Sequence, residues 1–305
     1  MATLAGLQRS FAAAEPLLKE LCGWQLDDNT IRRITHQNAT RATRARPMRA
    51  DGTRFRQAEG VPEVAIDAGK VNTLGGWRDV KMAVISKREP GQSATPDEWE
   101  TRTLPAPTIR AVVAAIEEVE LFTTRVRTET DRLAVTTAAA VAGLADGGEW
   151  IWNLASMVLP TATGVLDIYH ALEHVSGAVR TLNVSATEAE RLRATGRRAL
   201  LSGGKVGIER WIGETMASVP VAESTDGLLR VAAYLANHPT HLDYAGRLSR
   251  GESIGSGQVE GAIKELVNLR LKRTGARWRV EHVGPLVELL ALSHTPEWHQ
   301  LWTAA

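Results

Sequence analysis

The sequence predicts an α/β protein: a mixed sheet flanked by helices and interrupted by an all-helical stretch. Three observations predict it. Apolar runs of strand length, Val64-Ala65-Ile66, Val80 to Ser86 and Ala139 to Ala145, alternate with helical segments. Residues 171–250 carry no strand signal, only helical periodicity broken at Gly203-Gly204 and Pro220. Beyond them, Gly255-Ser256-Gly257 opens a helix that runs to about Lys272 and is capped by Gly275, and a last apolar helix spans Val283 to Leu292.

The elements follow in order. Residues 3–22 read as one amphipathic helix, with Leu4, Leu7, Phe11, Leu18 and Leu21 on one side and Gly23 at its end. Asp28 or Asn29 can cap a second helix that carries Ile31 and Ile34 beside Arg32 and Arg33. Helix, glycine turn and basic helix are compatible with helix-turn-helix DNA binding. They are equally the pattern of a plain helical hairpin with a solvated basic face. The Arg-rich tail that follows reads as a linker. Thr101 to Leu104 suggest a third strand, and Ile109 to Val126 a helix. Trp150 to Val158 are helical up to Pro160, with Trp150 and Trp152 on opposite sides. Gly164-Val165-Leu166 leads into Asp167, and a helix opens near His170. Ser185 and Glu188 form a capping box, and Asn237-His238-Pro239 ends a helix that begins near Asp226. The chain thus divides into an N-terminal helical segment and linker (1–60), a catalytic α/β domain (61–170 with 251–295) and a helical insertion (171–250).

Net charge is only +1, so a polyanion partner requires segregated charge. The charge is segregated: from Arg32 to Arg56 there are eight arginines and one acid, Asp51. Arg270, Lys272, Arg273, Arg277 and Arg279 make a second basic stretch, and Asp97 to Glu120 is acidic. The single cysteine, Cys22, excludes an internal disulfide framework and suits a reducing compartment. With no signal peptide and no apolar stretch near the roughly 18 residues of a membrane span, the expected location is the cytoplasm.

Three carboxylates stand where a core would not want them. Asp67 and Asp146 each end an apolar strand, with glycine one or two residues on, and Glu260 occupies the first turn of a helix, next to Val259. Charge at the mouth of a sheet is costly unless a cation or donor meets it, and such crevices bind ligands in open α/β sheets. An all-oxygen pocket suits Mg²⁺ or Mn²⁺. Two ions about 4 Å apart would serve phosphodiester chemistry, with Asp67 bridging both, Asp146 holding one and Glu260 the other. Each acid alone also has an ordinary reading: a turn aspartate, or a helix-dipole glutamate paired with Lys264.

Their order, strand-Asp, strand-Asp, helical stretch, helix-Glu, resembles that of the DDE transposases of bacterial insertion sequences, in the Kra-type group distantly similar to Mutator-like enzymes. Val64-Ala-Ile-Asp67-Ala-Gly69 resembles the family's first acidic strand and Trp77 to Val84 the next. Ala145-Asp146-Gly-Gly-Glu-Trp150-Ile-Trp152 resembles the block of the second aspartate. Leu159-Pro160-Thr-Ala162 and Leu166 to His174 follow as in the family. Gly255-Ser-Gly-Gln-Val-Glu260, with Lys264 and Arg270 to Trp278, resembles the block of the catalytic glutamate. Alanine follows Asp67 where the family has glycine, and Gly261 follows Glu260 where serine is common. The resemblance covers about residues 60–290 and implies a ribonuclease-H-like sheet with a helical insertion. It implies Asp67, Asp146 and Glu260 as catalytic and metal residues, with Asp167, His170 and His174 in support. It implies DNA as partner, both terminal repeats and target, and a homo-oligomer working on it near the nucleoid. Arg270, Lys272, Arg273 and Arg277 are the expected phosphate contacts, and Trp278 is expected to cap the core. The family has a longer N-terminal region, so this chain is expected to be a shortened copy.

Two other functions fit parts of the sequence. A shortened copy could bind DNA or dimerise without cutting it. His170-Ala-Leu-Glu173-His174 also matches the H-x-x-E-H pattern of some zinc peptidases, with Glu173 as base and Glu252 a conceivable third ligand.

Overall fold

The computed structural model describes residues 1–218 and 225–303; Pro220 lies outside them. Helices α1 (Ala2–Gln8), α2 (Phe11–Cys22), α3 (Asp28–Ala45) and α4 (Asp51–Gln57) precede the sheet. The sheet strands are β1 (Val61–Thr73), β2 (Gly76–Arg88), β3 (Ile109–Ala115), β4 (Ala142–Ala145) and β5 (Thr163–Leu166), in spatial order β3-β2-β1-β4-β5. β1, β2 and β3 form an antiparallel meander, and β4 and β5 run parallel to β1. The crossovers carry α5 (Val119–Arg132) and α6 (Glu149–Val158). This is a mixed α/β, ribonuclease-H-like layout.

Burial explains the strands. β4 is buried at all four positions, as expected of a short parallel strand covered on both faces. In β1 and β2 the two faces serve different cores. Val64, Ile66, Ala83 and Ile85 pack with Phe122, Val126 and Leu154 beneath α5 and α6. Ala65, Val71, Met82 and Val84 pack on the opposite side. There they meet Val259, Leu266 and Val267, Val283 and Leu286 of α13 (Val280–Leu292), and Leu7, Ala39 and Ala42 from the N-terminal helices. A third core holds the helical insertion, in which α7 (Ile168–Arg180), α8 (Ala186–Ser218), α9 (Asp226–Ala236) and α10 (Tyr244–Ser249) enclose Leu200, Ile208, Leu228 and Tyr244. The Tyr244 hydroxyl donates to the Leu166 carbonyl (2.9 Å), tying the insertion to β5. α8 bends at Gly204, whose φ of 49° favours glycine. Its start is capped by Ser185, whose Oγ accepts from the Glu188 N–H (3.2 Å), while the Glu188 carboxylate turns to Arg191.

Several expectations are corrected. Residues 3–22 are two helices: Ser10 interrupts them and its Oγ caps α2 through the Ala13 N–H. Asp27, not Asp28 or Asn29, caps α3, accepting from the Thr30 N–H at 2.7 Å. Residues 101–104 are irregular, held near Pro105 and Pro107, and the third strand is Ile109–Ala115, where a helix was expected. There the apolar run Val112 to Ala115 pairs with β2, and the helix starts only at Val119.

The Arg-rich tail is no linker. α3 continues through it to Ala45, and its buried stripe of Ile31, Thr35, Ala39 and Ala42 packs inward. Arg46 pairs with Glu129 (3.1 Å) and Glu288 (3.0 Å), Arg132 with Asp51 (2.8 Å), and Arg54 with Glu297. The N-terminal segment is therefore fastened to α5, α13 and α14 (Glu297–Thr303) by charges drawn from far along the chain. No helix among the described residues is long and apolar enough to cross a membrane.

Candidate functional site

Asp67 stands in the middle of β1, opposite Met82, rather than at its end. The sheet still makes it a mouth residue, because the neighbouring strands stop short. Ile66 pairs with Ala145, the last residue of β4, and Ala145 pairs with Leu166, the last of β5. The next residue on each strand is an aspartate. Asp67, Asp146 and Asp167 therefore form one row along the carboxyl edge of three parallel strands, where ligands meet open α/β sheets.

A helix crosses this row. It begins as α11 (Gly257–Ala262), widens to a π-helical stretch at Ile263–Asn268 and returns to α form as α12 (Leu269–Leu271). Such widenings are frequent at functional sites. Gly275 lies beyond the helix end, with φ 76°, and is not its cap; the cap position is Lys272. Glu260 sits in the first turn and is exposed. One oxygen each of Asp167 and Glu260 and one ring nitrogen of His170 lie within 4.8 Å of one another.

Asp167 is fully buried. Its Oδ1 accepts the His170 N–H as the cap of α7, and its Oδ2 accepts the N–H and the hydroxyl of Ser256. The Ser256 Oγ is 2.9 Å from Asp167 Oδ2 and 3.0 Å from Glu260 Oε1. A hydroxyl carries one proton, so it can donate to only one of these carboxylates. The other contact needs a proton or a cation to be favourable.

Burial pushes the Asp67 carboxyl up from 3.8 to about 6; the Ala68 N–H pulls it down, Asp146 and Glu260 push it further up, and His170 pulls it down. The Asp67 carboxyl thus feels the charges of Asp146, Glu260 and His170, which lie near it at the edge of the sheet. The Asp146 carboxylate accepts the Gly148 N–H (2.8 Å), and its carbonyl accepts the Trp152 indole N–H (2.7 Å).

The insertion supplies one wall of aromatic and imidazole rings. Tyr234 of α9 stacks on His174 at 3.8 Å between ring centres, and His241 stacks on Trp152 at 4.1 Å. Burial lowers the pKa of His174, His238 and His241, which keeps them neutral near pH 7. Gly147 is pressed against this wall: a Cβ there would come 2.1 Å from the Tyr234 ring. Gly147→Ala is expected to cost about 1–3 kcal/mol by overpacking, read as a lower thermal midpoint. Tyr234→Leu in the same chain should recover part of the loss; no recovery would show that the strain lies elsewhere.

The expected site residues fare differently. Asp67, Asp146 and Asp167 line the edge of the sheet, but among the described residues it is Glu260 with Asp167 and His170, not with Asp67 and Asp146, whose ligand atoms lie within 4.8 Å of one another. His174 faces Tyr234 and does not join the group formed by His170, Asp167 and Glu260. Glu173 is solvent-exposed, and Glu252 is paired with Arg247 (3.1 Å) and Arg250 (3.0 Å), so neither completes a histidine-based metal site. Arg270 is not a phosphate contact. Its guanidinium is buried, donates twice to the Gly6 carbonyl (2.7 and 3.2 Å) and lies over the rings of Phe11 and Trp278. Lys272, Arg273 and Arg277 are exposed, and Lys272 is about 18 Å along the helix from Glu260. Trp278 is buried and donates to the Leu271 carbonyl, closing the core as expected. Sequence reasoning did not single out two residues of the site, Ser256 and Tyr234. Ser256 sits between two glycines, where a turn alone would explain it, and the spacing of Tyr234, His238 and His241 is the signal that points to the wall.

No protein-family model matches the chain, and no curated protein matches it significantly.

Proposed function

We propose that the protein is a metal-dependent polynucleotidyl transferase of the DDE transposase kind, cutting DNA and joining the freed end to a target. The observation that carries this reading is the row Asp67, Asp146, Asp167 with Glu260 laid across it, in a ribonuclease-H-like sheet. Carboxylate oxygens with a single imidazole fit Mg²⁺ or Mn²⁺ better than Zn²⁺, which favours nitrogen and sulfur. The shortage of protons at Ser256 and the raised Asp67 carboxyl are what a cation-accepting pocket has before the cation arrives. Asp67, Asp146 and Glu260, with Asp167 and His170 beside them, would hold one or two such ions, which supply Lewis-acid stabilisation of the charge developing on phosphoryl oxygens.

The chain's own groups do the rest. Asp67, whose carboxyl is raised by burial and by the neighbouring carboxylates, would lose its proton as a cation binds beside it. Ser256 fixes the Asp167 and Glu260 carboxylates relative to each other. The Trp152 and Gly148 hydrogen bonds fix Asp146. The Tyr234–His174 stack closes one side of the pocket.

The test is nicking of supercoiled plasmid with Mg²⁺, Mn²⁺ or EDTA. Wild-type protein should nick with either metal and not in EDTA. Glu260→Gln and Asp146→Asn should lose nicking while retaining duplex affinity. Nicking by Glu260→Gln at the wild-type rate would overturn the assignment.

A further inference from the structure

Six of the eight arginines of residues 32–56 separate into two sets with different fates. Arg46, Arg49 and Arg54 find carboxylates: Glu129 and Glu288, Asp51, and Glu297. Arg32, Arg33 and Arg44, on the exposed face of α3, form no ion pair with a carboxylate among the described residues. Arg32 bonds only the neutral Asn29 amide, and Arg33 the Gln37 amide. From the far end of the sequence, Arg273 and Arg277 are likewise exposed and without a carboxylate partner.

These two unpaired sets meet. α3 and the loop that follows the Glu260 helix form opposite banks of a cleft of about 930 Å³, with Arg32 and Arg33 on one side and Arg273 and Arg277 on the other. The stacked rings of His36 and His282 (4.0 Å) floor it. Burial and the nearby cations hold His36 down at about 4, so it adds no charge of its own. The cleft continues past these rings to Arg44. Arg270 and Trp278 brace it from below, and the loop is pinned to the β1–β2 hairpin by bonds between Trp278 and both Asn72 and Leu74.

Guanidinium groups from segments more than two hundred residues apart, gathered on a braced cleft whose lining holds a single acid, Asp28, call for an extended polyanion. Its regular charge spacing must match arginines placed on opposed banks, which favours a duplex phosphate backbone over a compact anion. We propose that this cleft is a sequence-independent docking site for the DNA duplex, remote from the carboxylate pocket but joined to it by the Glu260 helix and β1. The proposal rests on DNA being the substrate of that pocket.

The experiment measures binding of a short fluorescent duplex across a range of salt concentrations, in EDTA so that no cleavage intervenes. Removing one cation that neutralises a phosphate should make the slope of log affinity against log salt shallower by about 0.9. Arg33→Gln/Arg277→Gln should therefore lower the slope by about 2 and weaken binding severalfold, with an unchanged thermal midpoint. Arg191→Gln, an exposed arginine on the insertion, should leave the slope alone. Glu260→Gln should also keep the wild-type slope. A wild-type slope in the double variant, or an equal loss in Arg191→Gln, overturns the proposal, as does equal competition by polyglutamate. If Glu260→Gln still nicks but the slope falls as expected, the catalytic reading fails and the docking site stands; the reverse pattern fails the docking site alone.

Discussion

Replacing Asp67 with asparagine is expected to abolish metal-dependent nicking and, at the same time, to stabilise the metal-free protein near neutral pH. The first effect follows from losing a carboxylate that serves the reacting phosphate, worth several kcal/mol of transition-state stabilisation, or on the order of a thousandfold in rate. The second follows from proton linkage. The folded-state carboxyl sits at about 6 against 3.8 ordinarily, so the folded protein binds this proton more tightly than the unfolded chain does. Stability from this group is fully present below about pH 4 and is lost as pH rises through 6. The penalty at pH 7–8 is on the order of 1–2 kcal/mol once the partial exposure of the group is allowed for. Asparagine removes it. Thermal unfolding in EDTA at pH 5 and pH 8 should show wild type losing more stability than Asp67→Asn over that interval. Added Mg²⁺ should raise the wild-type midpoint and leave the variant nearly unmoved. Identical pH dependence in the two proteins would remove Asp67 from the shared carboxylate pocket.

The largest stability effect is expected at Arg46. Its side chain is 14% exposed, and its partners Glu129 and Glu288 are 3% and 7% exposed. Burial opposes the Arg46 charge, but Glu288 and Glu129 more than offset it, and the pKa of the guanidinium is raised. Arg46→Met would strand two buried carboxylates at a cost of about 3–5 kcal/mol, a fall in thermal midpoint of roughly 10 °C. The two acids would not suffer equally. Glu129 retains Arg132 at 2.8 Å, whereas Glu288 keeps the neutral Thr43 hydroxyl and Ala114 N–H. Glu288→Gln in the same chain should therefore restore much of the loss. A midpoint unchanged by Arg46→Met would mean that the N-terminal helices are not held by this pair.

What the sequence concealed was mostly long-range pairing. Eight arginines with one local acid look like a solvated tail, because the acids that claim Arg46 and Arg54 lie beyond residue 128. Arg270 looked like a phosphate contact because its acceptor, Gly6, is 264 residues away. The strand runs were legible because β1 and β4 are buried on both faces and read as apolar blocks. β3 was absorbed into the helix after it, since Ile109 to Val113 has no break before the charged turn at Glu117. The aspartate row was legible as strand-Asp twice, but its alignment needed the pairing register. The widened turn behind Glu260 did leave a trace. Buried Val259, Ile263, Val267 and Leu271 recur every fourth residue. In a plain α-helix that spacing drifts by about 40° per repeat, and a wider turn takes up the drift.

The overhang of β1 beyond β4 has one more consequence. From Asp67 the strand runs on to Asn72, where it bonds the loop that carries Arg277 and Arg279. Five residues of strand advance about 17 Å, close to five base-pair steps of duplex at about 3.4 Å each. On the proposed reading the overhang is a ruler: the cut falls at a fixed offset from the phosphates gripped at its far end. Its graduations are coarse. A change of one residue would turn every later side chain of the overhang to the opposite face, so the offset can be reset only two residues at a time.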